Sequence, residues 1–124
     1  MVNANDSILV TIKKLLGISE DDSSFDADVV ASINFSLLSL SQLGVGPKTP
    51  FAIMDESSKW GDFVTGEGLD SVVSYIWLRS RLVFDPPTSG YVTNAIKDEI
   101  NELVFRLNIL VDDNSLVYSD EQSE

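Results

Sequence analysis

The sequence predicts an all-α protein: a small bundle of three to four helices, a long inter-helix loop and an acidic, mobile C-terminal tail. Three observations carry this. Apolar residues recur every three or four positions in 25–43, 69–84 and 90–109, the spacing of one helical face. Two consecutive prolines, Pro86 and Pro87, separate the last two of these segments and force a corner between them. Between the first two, 47–68 holds two prolines and three glycines and shows no sustained period. A chain of 124 residues suits one domain, which the pattern divides into a helical body, 1–111, and a flexible acidic tail, 112–124.

The first element, 8–16, contains ILVTIKKLL. Asp6 or Ser7 suits its N-cap, Lys13 and Lys14 favour its C-terminal end, and Gly17 suits the residue after it. A short helix follows, with a strand over ILVTI as the alternative. The acids and serines of 19–28 then precede a helix over 25–43, where carboxylates meet the positive end of the dipole. Val29, Ile33, Leu37 and Leu40 form its stripe, and Val30, Phe35, Leu38 and Leu43 widen it. It stops at Gly44 and Gly46, before Pro47.

A loop as long as 47–68 is uncommon inside a small domain and is usually either functional or disordered. FAIM, 51–54, reads as a short strand, and 57–64 contains a helical turn. Phe51, Met54, Trp60 and Phe63 are too many large apolar groups for a solvated linker, so the loop docks on something. The helix over 69–84 has Leu69, Val72, Val73, Ile76 and Val83 on one face and Tyr75, Leu78 and Leu82 on another, with Trp77 adding width. Such a helix is either the centre of the bundle or one side of an interface. After Asp85, Thr88 and Ser89 suit the cap of the helix over 90–109, whose stripe is Val92, Ile96, Ile100, Leu103 and Leu107. On its outside, Glu102 and Arg106 have the favourable i,i+4 order, whereas Asp98 and Glu102 repel. The tail is acidic apart from Leu116, Val117 and Tyr118, an apolar island suited to docking on a partner.

Composition excludes whole classes of chemistry. The chain has no cysteine and no histidine, which removes disulfides, Cys–His and Ser–His–Asp nucleophiles and the usual zinc, iron–sulfur and haem sites. Twenty acids against eight bases give a net charge of −12, with no basic stripe to displace phosphate counterions. No stretch is apolar and long enough to span a membrane, and the N-terminus lacks the basic region of a secretory signal. A soluble protein made in the cytoplasm is expected.

Weaker motifs dissolve on inspection. A calcium loop begun at Asp21 has Asp26 at its sixth position and Ser32 at its twelfth; one begun at Asp22 has Ala27 and Ile33. Neither supplies the glycine and the terminal glutamate, so the acidic turn is a solvated helix start. LGVGP lacks the lysine and hydroxyl of a phosphate-binding loop. Arg79 and Arg81 stand on the most apolar helix of an acidic chain. They pair either across the hairpin with Glu99 or Glu102, or with an acidic neighbouring subunit.

Taken in order, TIKKLLGI (11–18), SFDADVVASIN (24–34), QLGVGP (42–47), F-x-I (51–53), W-x-D-F (60–63), YIWLRSRLVFDPP (75–87) and IKDEINELVFRLN (96–108) resemble the head–tail connector (adaptor) family of tailed bacteriophages. The resemblance runs to about residue 108 and leaves the acidic tail unmatched. It implies a small helical subunit without catalytic activity or cofactor. Copies form a ring, typically dodecameric, that sits between the portal and a stopper or tail-completion protein at the head–tail interface of the virion. The ring extends the channel through which DNA passes without specific binding. It further implies a loop interface at Phe51, Ile53, Met54, Trp60 and Phe63, and a portal anchor at Leu116, Val117 and Tyr118. The rival is a small acidic DNA mimic that inhibits a basic partner, but a mimic needs spaced surface carboxylates rather than greasy helices. An enzyme is the least supported reading.

Overall fold

The computed structural model describes residues 2–112 and 116–118. Five helices and one two-stranded sheet occur among the described residues: α1 Ile8–Leu15, α2 Asp26–Gln42, α3 Trp60–Phe63, β1 Val64–Gly66, α4 Leu69–Phe84, α5 Gly90–Asp112 and β2 Leu116–Tyr118. The all-α bundle expected from the periodicity is present, and none of these helices is long and apolar enough to cross a membrane.

Local chemistry explains most boundaries. Ser7 Oγ accepts from Val10 N at 3.3 Å and caps α1, which settles that segment as helix rather than strand. The chain leaves α1 through Gly17, with Ile18 N bonded to Lys13 O at 2.8 Å. At the end of α2 the same closure joins Val45 N to Leu40 O at 3.0 Å, with Gly44 at φ +92, a left-handed conformation that favours glycine. Phe25, rather than one of the neighbouring polar residues, occupies the N-cap of α2 and offers no side-chain bond, so the acids of the first turn, Asp26 and Asp28, act through the dipole. Helix α4 ends at Asp85, before the prolines, and Ser89 Oγ caps α5 by accepting from Val92 N at 3.5 Å. Helix α5 continues three residues past the expected 109, through Leu110 and Val111, which pack against the core.

Helix α4 is the centre. It packs against α1, α2, α5 and β1, and Val72, Val73, Tyr75, Ile76, Leu78 and Ser80 are all buried. Most of its two apolar faces is therefore consumed inside the subunit, Val83 near its C-terminal end staying exposed, and of the two alternatives the central helix holds. Each buried Val, Leu or Ile contributes about 1.5–3 kcal/mol relative to an exposed one. Ser80 Oγ lies 3.0 Å from Ser32 Oγ, a small polar pair where α2 crosses α4. On the other side of α2, Lys13 of α1 is buried, with Nζ 2.8 Å from Asp26 Oδ1 and donating to Glu20 O at 3.2 Å. No well-aligned hydrogen bond reaches Asp26 Oδ1, so that contact is charge on charge.

Two parts depart from the sequence reading. Residues 51–54 are not a strand; the strand of this region is β1, further on. It pairs antiparallel with β2, Val64 opposite Tyr118 and Gly66 opposite Leu116. The Leu-Val-Tyr island of the expected tail is thus a strand on the body of its own subunit, and Val117 and Tyr118 supply the β propensity. The tail residues 113–115 and 119–124 lie outside the described residues.

Candidate functional site

The long loop was the first candidate, and its main chain is tied to the N-terminal segment. Ile8 N donates to Ser58 O at 3.0 Å, Trp60 N to Asp6 O at 3.1 Å and Gly61 N to Ala4 O at 2.9 Å. Lys59 N donates to Asp62 Oδ2 at 2.9 Å and starts α3. Trp60 is wholly buried, with Nε1 donating to Thr11 Oγ1 at 3.1 Å, which satisfies its one polar atom. Phe63 is wholly buried against Gly46, whose φ is +96; a Cβ there would overlap the Phe63 ring. Phe51 is half-buried, its ring 5.3 Å from that of Phe63. Ile53 is buried, and its peptide is held at both ends by one side chain: its N–H donates to Asn34 Oδ1 at 2.8 Å, and its carbonyl accepts from Asn34 Nδ2 at 3.0 Å. The loop docks, as expected, but on its own core. In the isolated subunit Ile53, Trp60 and Phe63 offer a partner no surface, and Met54, 89% exposed, is the outward member of the predicted set. The reason is non-local: Asn34, Thr11 and Gly46 lie far from these residues in the chain.

Arg79 is half-buried beside α2. Its Nη1 donates to Ser39 Oγ at 2.9 Å and Tyr75 Oη at 2.8 Å, and its guanidinium carbon lies 4.9 Å from the Phe35 ring centre and 5.5 Å from that of Tyr75. The expected pairing across the hairpin with Glu99 or Glu102 is not made, because α2, rather than α5, borders this side of α4. Glu102 pairs instead with Arg106 on its own helix, as the i,i+4 spacing predicts. Arg81 makes no ion pair among the described residues.

The unabsorbed apolar surface lies elsewhere, on two separate faces. On α2, Phe35 is 61% exposed and lies under the Arg79 guanidinium, with exposed Val83 of α4 one helical turn from Arg79; Leu38, one turn from Phe35, is also exposed and borders a separate depression with Pro47 and Phe51. Phe35, Val83, Ala31 and Ser32 line an open depression of about 410 Å³, bordered at its far end by Asp28. On α5, Tyr91 is 84% and Phe105 65% exposed, with Ile109 half-exposed. These lie on the side of α5 away from its buried Ile96, Leu103 and Leu107. Sequence reasoning assigned Phe35 and Leu38 to the widened core stripe and passed over Tyr91, Phe105 and Ile109. The signal was present: at 3.6 residues per turn, positions 35 and 38 fall well off the line of 29, 33, 37 and 40, and 91, 98, 105 and 109 form a second line opposite 96, 103 and 107.

Leu116, Val117 and Tyr118 are held through their backbone against Val64–Gly66. No curated protein and no solved structure matches the chain. The model of one family, phage connector protein, matches residues 8–114, which takes in every helix. That match covers most of the chain and the whole helical bundle, and it places this chain in the phage connector protein family.

Proposed function

We propose that this connector is a structural ring subunit of the head–tail joint. Copies assemble, typically twelve by the family resemblance, beneath the portal and above a stopper or tail-completion protein, and the ring extends the DNA channel. The observation that carries this reading is the pair of unlike apolar faces, one around Phe35 on α2 and one along Tyr91 and Phe105 on α5. A ring is built from heterologous contacts, in which every subunit offers two different complementary patches; a two-fold dimer needs only one. Net charge of −12 supports a channel that DNA traverses without adhering, since like charge opposes backbone contact. The role is mechanical and needs no catalytic group or cofactor. Met54 at the loop surface contacts the neighbouring ring or subunit, and Leu116–Tyr118 is the portal anchor. The chain acts in the virion after synthesis in the bacterial host cytoplasm.

A phage that lacks this chain should accumulate DNA-containing heads and free tails that do not join. Normal tailed virions from the deletion would refute the assignment.

A further inference from the structure

Arg79 is the most unusual charged group among the described residues. A guanidinium has five N–H donors. Here Nη1 is engaged by two neutral hydroxyls, and the plane is held between Phe35 and Tyr75. No carboxylate pairs with it among the described residues, in a chain with 20 acids. Its orientation is fixed in advance, and its remaining donor edge is uncommitted. Exposed Phe35 and Val83 border it, and exposed Leu38 extends the apolar surface one turn along α2. A pre-oriented arginine inside an apolar rim is the composition of a binding hot spot for an acidic partner.

The outer line of α5 has the complementary chemistry. Asp98 lies midway between Tyr91 and Phe105, seven residues from each. Its side chain has no ion pair or hydrogen bond among the described residues. Seven-residue spacing also relates Ala31 to Leu38 and Phe35 to Gln42 on α2. Two helices with that repeat pack side by side at a shallow crossing angle. We infer that the α2–Arg79 face of one copy receives the outer line of α5 from the next copy, with Asp98 on the free edge of Arg79 and Tyr91 and Phe105 against Phe35, Leu38 and Val83. This rests on the ring reading and names the contact that would close it. Asp28, at the far end of the depression, sets the direction: it repels carboxylates and leaves that end to apolar groups. The acidic turn at 20–28 is a poorer occupant, because its carboxylates have only Phe25 as a large exposed apolar neighbour.

The test is the mass of the purified chain by light scattering across a dilution series, with circular dichroism to confirm folding. The wild-type chain should form a multi-subunit species. Asp98→Arg changes an exposed side chain without internal partners, so it should fold normally and raise the concentration needed for assembly by roughly 100-fold. Arg79→Glu should do the same. An equimolar mixture of Asp98→Arg and Arg79→Glu should reassemble, because in an alternating ring every contact again joins opposite charges. A wild-type assembly that Asp98→Arg leaves intact overturns the pairing. So does a mixture of two folded variants that stays dissociated; if Arg79→Glu does not fold, Asp98→Arg alone decides. A wild-type chain monomeric at millimolar concentration overturns docking between copies, while the head–tail role stands or falls with the deletion phenotype.

Discussion

Helices α4 and α5 are neighbours in the chain, joined by a rigid Asp-Pro-Pro corner, yet they spend their apolar residues in opposite ways. Helix α4 is wrapped by α1, α2, α5 and β1, and most of its hydrophobic side chains, Val83 apart, disappear into the subunit. Helix α5 is longer, leans mainly on α4, and buries only Ile96, Leu103 and Leu107 among its described residues. Its Tyr91 and Phe105 point away from everything in the subunit. The lesson concerns where to look for an interface. The greasiest helix marks the middle of the core, whereas the amphipathic helix at the edge, with a few large apolar groups on its charged side, carries the surface that the subunit leaves open and that is proposed as the contact.

The sharpest way to break this comparison is to truncate a buried residue of α4. Ile76→Ala should lower stability by about 2–5 kcal/mol, read from the midpoint of urea unfolding, because the site is enclosed on all sides. A loss below 1 kcal/mol would mean that α4 is not central. Next in size is Asn34→Ala, which strips the Ile53 peptide of both partners and should cost about 1–3 kcal/mol. Amide exchange should show the loop opening at Ile53 first.

On α5 the expected effects change in kind. Phe105→Ser should move the unfolding midpoint of the dissociated subunit by no more than about 0.5 kcal/mol while weakening assembly. A large loss of subunit stability would place Phe105 in the core after all. The smallest effect is electrostatic. The Ser57 hydroxyl, and after it the Ser57 amide, hold the Asp55 carboxyl below its ordinary value of 3.8. A depressed carboxyl pKa contributes stability that is present above the ordinary value and is lost as pH falls through the folded-state value. Ser57→Ala should raise the Asp55 pKa toward 3.8, measured by NMR titration, and lower stability at neutral pH only slightly, because the exposed carboxyl is screened by solvent. An unmoved Asp55 would assign the shift to the amide alone.

What was legible in the sequence was what local chemistry controls. Ser7, Gly17, Gly44, the Asp-Pro-Pro corner and Ser89 mark boundaries that depend on the backbone conformation of a few adjacent residues, and the helices begin and end near them. The Glu102–Arg106 pair was equally local. The family was legible too: the segments that resemble it, 11–108, all lie within residues 8–114, which its model matches. The candidate site was less so. Trp60 and Phe63 look like docking groups in sequence; their burial depends on Thr11 and Gly46, which no local pattern connects to them.

The sequence by itself determined the main helices, their approximate ends, the acidic character and the lack of cysteine and histidine side chains, since these follow from periodicity, turn residues and composition. Only the tertiary structure decided which apolar faces are used up. Burial belongs to pairs of distant segments: α2 against α4 leaves Phe35 outside, Asn34 pulls Ile53 inside, and Val64–Gly66 finds its strand partner past the end of α5. A hydrophobic stripe states that a face wants cover; the packing of the other elements determines whether the subunit supplies that cover or leaves the face open.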